Sequence, residues 1–261
     1  GIYDLDVNSE LSSFDGEKYG LGSSAAVTVA TVKALLAFYG IPLDREIVFK
    51  LAAIAHMSVQ KNGSSGDIAA SVYGGWIAYR ATERPWLKNA LVNQKLSALV
   101  ESRWPLLLIK NLIPPTALTL LVGWSGIPAS TPELVDRIAK ARKGHREEYL
   151  AFVAESRACV ERMIAGFAAG DTKSIKTEIR TNRALLRRLE NISGIKIEIP
   201  GLTKLITIAE RFGAAAKTSG AGNGDCGIAL ADTPENADRI GSEWALNGVV
   251  PLDLAVEKAG G

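Results

Sequence analysis

The run Lys18-Tyr19-Gly20-Leu21-Gly22-Ser23-Ser24-Ala25-Ala26 decides how the chain is read. Two glycines let the backbone turn tightly and come close to a ligand. Val27, Ala30, Ala34 and Ala37 follow at helical spacing, and Lys33 is the one charge among them. A helix buried between layers is therefore expected over 24–39, ended by Gly40 and Pro42. The first N–H groups of a helix have no partner within it. Together with the helix dipole they form an anion site suited to phosphate. Ser23 and Ser24 are each placed to cap the helix, to contact a phosphate oxygen or to help hold Mg²⁺. A plain capped helix after a flexible turn is the competing reading. The spacing is not that of a Walker A loop, and no third glycine completes a dinucleotide fingerprint.

The surroundings suit a large soluble domain. The chain has 261 residues, 47% of them hydrophobic and 22% charged, an ordinary balance for a globular protein. A net charge of +2 gives no basic surface for nucleic acid. Two cysteines and two histidines are too few for a disulfide framework, a His-based metal site or a triad. No uninterrupted apolar run spans a bilayer. A reduced, cytoplasmic enzyme without a membrane partner is expected.

Upstream of the loop, Tyr3, Leu5 and Val7 alternate with Asp4, Asp6 and Asn8, the period of a half-buried strand closed by Asp15-Gly16. Downstream, Asp44 is placed to cap a second helix running to about Val59, with His56 a packed or surface residue near its end. The stretch from Gln60 to Ser71 is a polar, glycine-flanked loop ending in Asp67. Asp67 either caps the following apolar run or aims an acid into a phosphate site. Val72 to Tyr79, interrupted by Gly74 and Gly75, reads as a strand with a bulge. Leu106–Lys110 and Ala117–Trp124 are further strands. A small-residue loop through Ser130 then leads to a helix near Glu133, with Ser130 or Thr131 as its cap.

From Pro132 charges become frequent, and helices are expected at about 133–142, 146–168 and 172–192. Another, about 201–215, precedes Ser219-Gly220-Ala221-Gly222-Asn223-Gly224-Asp225-Cys226-Gly227. That glycine loop is either a hairpin turn or a nest of open backbone N–H groups. Cys226 reads as a small packing residue. A helix over 234–246 and a strand over 249–256 close an α+β pattern.

Three of these stretches resemble motifs of the kinase superfamily named for galactokinase, homoserine kinase, mevalonate kinase and phosphomevalonate kinase (GHMP). Its ATP loop reads proline, three variable residues, then Gly-Leu-Gly-Ser-Ser-Ala. Gly20 to Ala25 match in full, while Gly16 stands in place of the proline. The Lys18-Tyr19 lead-in and the 219–227 loop look like the phosphomevalonate kinase branch, with Asn223 where glycine is frequent. The Asp67 loop is similar to the superfamily's acidic loop. The resemblance covers nearly the whole chain and implies an α+β, two-subdomain GHMP kinase fold. Its first part is ribosomal protein S5 domain 2-like and its second a ferredoxin-like α/β sandwich. The subdomains are expected at 1–131, for ATP binding, and 132–261, completing the acceptor site. The superfamily's first motif, a strand bearing a lysine and a Gly-Glu pair, has no counterpart here. It is expected upstream of residue 1, making this chain a fragment, a processed product or otherwise incomplete.

The resemblance further implies ATP-dependent phosphorylation of 5-phosphomevalonate, in the mevalonate pathway to isoprenoids. Gly20, Leu21, Gly22, Ser23, Ser24 and Ala25 would bind the nucleotide. Ser64, Ser130, Ser219, Gly220, Ala221 and Gly222 would bind the acceptor. Ser24 and Asp67 would hold Mg²⁺. Lys18 and Asp67 would be catalytic, with Asp67 as Mg²⁺ ligand, orienter of Lys18 or base. A phosphate monoester has a second pKa of about 6 and is largely dianionic near pH 7. Such a nucleophile needs little base, and the obstacle is anion repulsion, which Lys18, Mg²⁺ and the helix start would screen. A mevalonate kinase, whose hydroxyl acceptor would need a base, and a catalytically silent ligand-binding protein are the alternatives.

Overall fold

The structure is a computed structural model and describes residues 3–8, 19–60, 63–129, 138, 144–220 and 222–259. Lys18, Ser130 and Ala221, all expected at the site, lie outside the described residues, as does most of the helix expected over 133–142. The chain divides into two compact units. The first comprises Gly1–Ser12, Gly22–Leu112 and Val256–Gly261; the second comprises Ser13–Leu21 and Ile113–Ala255.

The first unit is mostly helical. Its elements are α1 (Ser23–Phe38), α2 (Arg45–Val59), α3 (Gly66–Tyr73), β1 (Trp76–Arg80), α4 (Arg84–Asn93), α5 (Leu96–Glu101) and β2 (Leu108–Leu112). β1 and β2 form an antiparallel ribbon with Trp76 opposite Leu112 and Arg80 opposite Leu108. The core gathers Ala25, Val29, Phe49, Ala52, Ile68, Leu99 and Trp104. Lys50 is buried in it, and its Nζ donates to the Val100 and Ser102 carbonyls at 2.9 and 2.7 Å while pairing with Glu46 at 2.7 Å. A buried ammonium is tolerated because all three of its protons are used.

Three expectations fail here, and one stretch that carried none turns out to be helical. Tyr3 to Asn8 form no strand, and Tyr3, Leu5 and Val7 are exposed. In α1 the buried residues are Ala25, Val29 and Leu36, while Ala30, Ala34 and Ala37 face solvent. A helix apolar nearly all round gives periodicity nothing to phase against. Val72 and Tyr73 belong to α3 instead of a strand. Gly74, at φ 62°, ends that helix before β1 begins. Residues 84–101, left without an assignment by pattern, form α4 and α5.

The second unit is a sheet backed by helices. It holds β3 (Thr119–Trp124), α6 (Arg146–Ala169), α7 (Thr172–Ser193), α8 (Pro200–Arg211), β4 (Ala215–Thr218), β5 (Cys226–Ala231), α9 (Pro234–Leu246) and β6 (Val250–Leu252). The strands run β4-β5-β3-β6, all neighbours antiparallel. Gly123 and Gly227 are cross-strand partners. A Cβ on either would come 2.8 Å from Leu205 of α8, so the paired glycines let that helix settle onto the sheet. Trp244 of α9 is fully buried beside them, and its Nε1–H donates to the Leu205 carbonyl at 2.9 Å. Burying an indole of this size contributes roughly 3 kcal/mol or more.

Candidate active site

The Gly20–Ala25 loop enters α1 without a side-chain cap. The N-cap residue is Gly22 at φ 79° and ψ 35°, and neither serine caps the helix. The first internal bond runs from Ala26 N–H to the Gly22 carbonyl at 3.0 Å. The N–H groups of Ser23, Ser24 and Ala25 therefore form an open helix start, the arrangement that favours an anion. A side chain at Gly22 would sit in ordinary contact with Asp67, whose Cβ lies 3.4 Å from the place of the added carbon, so the demand for glycine there is its φ of +79°.

Asp67 sits in the first turn of α3, where a negative charge complements the helix dipole. Of its two expected roles it does not take the cap: Ser65, at φ 62°, holds that position. A non-glycine residue in the left-handed region costs about 1–2 kcal/mol, which the turn sustains with two further bonds. Gly66 N–H donates to Ser64 Oγ at 3.3 Å, and Tyr79 Oη–H donates to the Ser64 carbonyl at 2.5 Å. Burial, and then the Asp67 charge, push the Tyr79 phenol well above its ordinary value, so it stays a donor. Asp67 Oδ1 accepts from Ile68 N–H at 3.0 Å, leaving Oδ2 without a protein partner among the described residues.

The Ser24 hydroxyl is held by two side chains of α2 and its C-cap. Oγ lies 3.1 Å from His56 Nε2 and 3.1 Å from Gln60 Nε2. His56 is thus packed, as expected, yet it also touches the loop, which its sequence neighbours gave no sign of. Ser24 Oγ and Asp67 Oδ2 are hard oxygen donors of the kind Mg²⁺ takes beside phosphate oxygens and water. The described residues contain no group of three or more His, Cys, Asp or Glu able to cage a metal. Ser24 and Asp67 would each offer one such oxygen to a cation shared with a phosphorylated ligand.

Within the second unit, Tyr19 and Gly20 meet the 219–227 loop. The Cys226 Sγ–H donates to the Tyr19 carbonyl at 3.2 Å, and the Tyr19 ring stands edge-on to Trp124 with centroids 5.5 Å apart. Burial pushes the Cys226 thiol up to about 12, so it is a packed donor and no nucleophile. The loop joins β4 to β5 as a hairpin, closed by Ser219 N–H to the Cys226 carbonyl at 2.9 Å. Gly220 has φ 59°. Gly222 passes so close to Ile197 that a Cβ would lie 2.6 Å from its carbonyl oxygen, and the next N–H, of Asn223, donates to that oxygen at 2.7 Å.

Asp225 was missed by sequence reasoning and organises this part of the unit. Its N–H donates to the Ile127 carbonyl (2.7 Å), its carbonyl accepts from Ser125 N–H (2.8 Å), and its Oδ1 accepts from Ala129 N–H (2.9 Å). Burial holds its carboxyl above the usual range, against the pull of the Ala129 bond. A Cβ at Gly20 would fall 2.3 Å from Asp225 Cγ. The residue stands at φ 51° beside Asn223 at φ 65°. The excess of glycine around it hid a carboxylate doing the anchoring.

Comparison with known proteins agrees with this geometry. Family models described as GHMP kinases N terminal domain and GHMP kinases C terminal match residues 2–75 and 163–250. A phosphomevalonate kinase from Streptomyces sp. strain CL190 is 42% identical over 252 residues, which are 96% of this chain and 67% of that protein. The Lin0012 protein of Listeria innocua superimposes with a TM-score of 0.92 at 38% identity, over 96% of this chain and 70% of that one. Streptococcus pneumoniae phosphomevalonate kinase, solved with phosphomevalonate and AMPPNP, gives a TM-score of 0.82 at 28% identity, over 96% and 71%. With its mixed helix and sheet architecture and both domain models matched, the chain belongs to the GHMP kinase family.

Proposed function

We propose that this chain transfers the γ-phosphoryl group of ATP to 5-phosphomevalonate, giving 5-diphosphomevalonate and ADP. The observation that carries the reading is the uncapped start of α1 at Gly22-Ser23-Ser24 with Asp67 packed against Gly22. The acceptor is taken from the 42%-identical phosphomevalonate kinase. Gly20 to Ala25 bind the nucleotide phosphates through backbone N–H groups. Ser24 and Asp67 hold Mg²⁺, which when bound neutralises charge on the transferring phosphoryl group. Ser64 and the Ser219–Gly222 loop bind the acceptor, together with Ser130. Lys18 screens the two anions from each other. An acceptor already dianionic near neutral pH leaves Asp67 to position the cation and Lys18 rather than to remove a proton.

The test is ADP release by the wild type, Lys18→Met and Asp67→Asn, with phosphomevalonate and mevalonate side by side at two Mg²⁺ concentrations. Turnover of phosphomevalonate is expected. Lys18→Met should lose on the order of 10²-fold or more in kcat/KM, and added Mg²⁺ should restore part of the Asp67→Asn rate. Turnover of mevalonate alone, with a pH limb that vanishes in Asp67→Asn, would overturn the assignment.

A further inference from the structure

We propose that His56 and Gln60 are positioning residues that turn the Ser24 hydroxyl into an acceptor toward the bound nucleotide complex. The inference rests on reading Gly20–Ala25 as the phosphate loop.

A serine hydroxyl has one hydrogen to give and two lone pairs to fill. An amide nitrogen only donates, so Gln60 Nε2, 3.1 Å away, occupies one lone pair of Ser24 Oγ. In the arrangement proposed, the single hydrogen goes to His56 Nε2, at 3.1 Å. That nitrogen accepts only in the imidazole tautomer carrying its proton on Nδ1. The hydroxyl hydrogen thus points at a buried ring, while Ser24 itself is exposed at the helix start. What remains open on Oγ is one lone pair. It repels a phosphate oxygen and attracts a cation. Capping is excluded by Gly22, and in the proposed arrangement the hydroxyl hydrogen is turned away from phosphate.

The two partners are themselves fixed. Gln60 N–H caps the end of α2 by bonding the His56 carbonyl at 2.8 Å. Thr28 Oγ1–H donates to the Ser24 carbonyl at 2.8 Å, one turn along α1. The hydroxyl is therefore held from α2 and its C-cap, while Thr28 bonds the Ser24 backbone carbonyl.

The experiment is titration of the full chain with AMPPNP, with and without Mg²⁺, for the wild type, Ser24→Ala, His56→Leu and His56→Gln. Mg²⁺ should tighten wild-type binding. Ser24→Ala and His56→Leu should each lose about tenfold of that gain, the scale of one hydrogen bond, with the metal-free affinity of His56→Leu unchanged. His56→Gln, whose amide oxygen can accept the same hydrogen, should recover most of it. Because the chain has only two histidines, ¹⁵N spectra against a His145→Gln variant identify the His56 ring, and the Nδ1–H tautomer is expected. An Nε2–H tautomer, or a full Mg²⁺ gain in His56→Leu, would overturn the inference even if a variant folds poorly. Unchanged AMPPNP binding in Ser24→Ala with Mg²⁺ would overturn it as well, whereas no AMPPNP binding by the wild type would instead overturn the reading of the loop.

Discussion

Replacing Gly20 with alanine tests whether the phosphate loop is shaped by Asp225. Gly20 has φ +73°, and a Cβ there would lie 2.3 Å from Asp225 Cγ and 2.4 Å from Oδ2. Gly40 offers an internal control: its φ is +68°, and a Cβ would meet nothing within 4 Å. Both substitutions carry the left-handed strain of about 1–2 kcal/mol, offset by about 0.4–1 kcal/mol from a stiffer unfolded chain. Gly40→Ala should therefore cost about 1 kcal/mol or less. At Gly20 the new carbon and the carboxyl cannot coexist, so one must move. Asp225 is held by three hydrogen bonds and by its own φ of 51°. Displacing it adds an overpacking cost of about 1–3 kcal/mol.

Gly20→Ala should thus destabilise by about 1–3 kcal/mol more than Gly40→Ala, read from urea midpoints at constant slope. The double variant Gly20→Ala with Asp225→Gly removes the obstructing carboxyl without adding strain at residue 225. The cycle should show a favourable coupling of about 1–3 kcal/mol. AMPPNP affinity should fall in Gly20→Ala and stay at the wild-type value in Gly40→Ala. Equal destabilisation by the two alanines, or no coupling in the cycle, would refute the steric argument.

Two further outcomes follow from ionisable groups in the second unit. Burial raises the Glu198 carboxyl, but the bidentate Arg183 bonds at 2.8 Å, its charge and the Thr203 hydroxyl outweigh it, leaving the group below its ordinary value of 4.5. A depressed carboxylate contributes stability above its unfolded pKa that disappears as pH falls through the folded one. Stability should therefore decline below about pH 4.5 in the wild type, and Glu198→Gln should flatten that slope in acid denaturation; an identical acid limb would contradict it. Cys159 and Cys226 are pushed up by burial to about 11 and about 12, so iodoacetamide at pH 8 should label neither until the chain is unfolded, and labelling of native protein as fast as in urea would count against both being packed.

Local signals were legible in the sequence, and long-range ones were not. Asp44 accepts from Ile47 N–H at 2.9 Å as the cap it was expected to be. The helices read at 146–168 and 172–192 occur at Arg146–Ala169 and Thr172–Ser193, each ended by a glycine with positive φ. Such features depend on neighbours within a turn. His56 reaches Ser24 across 32 residues, and Asp225 reaches Ala129 across 96. Neither contact leaves a trace in spacing. Gly74 and Gly75 misled for another reason: a glycine pair marks a break, but does not say whether a helix or a strand precedes it. Here Gly74 N–H still bonds the Ala70 carbonyl as the last turn of α3.

The Gly-x-Gly spacing of the loop sets one glycine beside an acid within each unit, with a steric demand at Gly20 and a conformational one, φ +79°, at Gly22. In the second, Gly20 lacks a side chain where the Asp225 carboxyl stands; in the first, Gly22 lacks one where Asp67 packs. Positive φ at both residues bends the backbone around these acids. Two carboxylates against a loop meant for phosphate would oppose binding if both carried bare charge. Their surroundings differ in how that charge is handled. Burial raises the Asp225 carboxyl above its ordinary value, and its Oδ1 is spent on the Ala129 N–H. Asp67 sits at a helix start with Oδ2 open among the described residues, where a cation can meet it. One acid is thereby placed to shape the loop and the other to recruit positive charge, so exchanging Asp for Asn should be structural in its effect at 225 and Mg²⁺-dependent at 67.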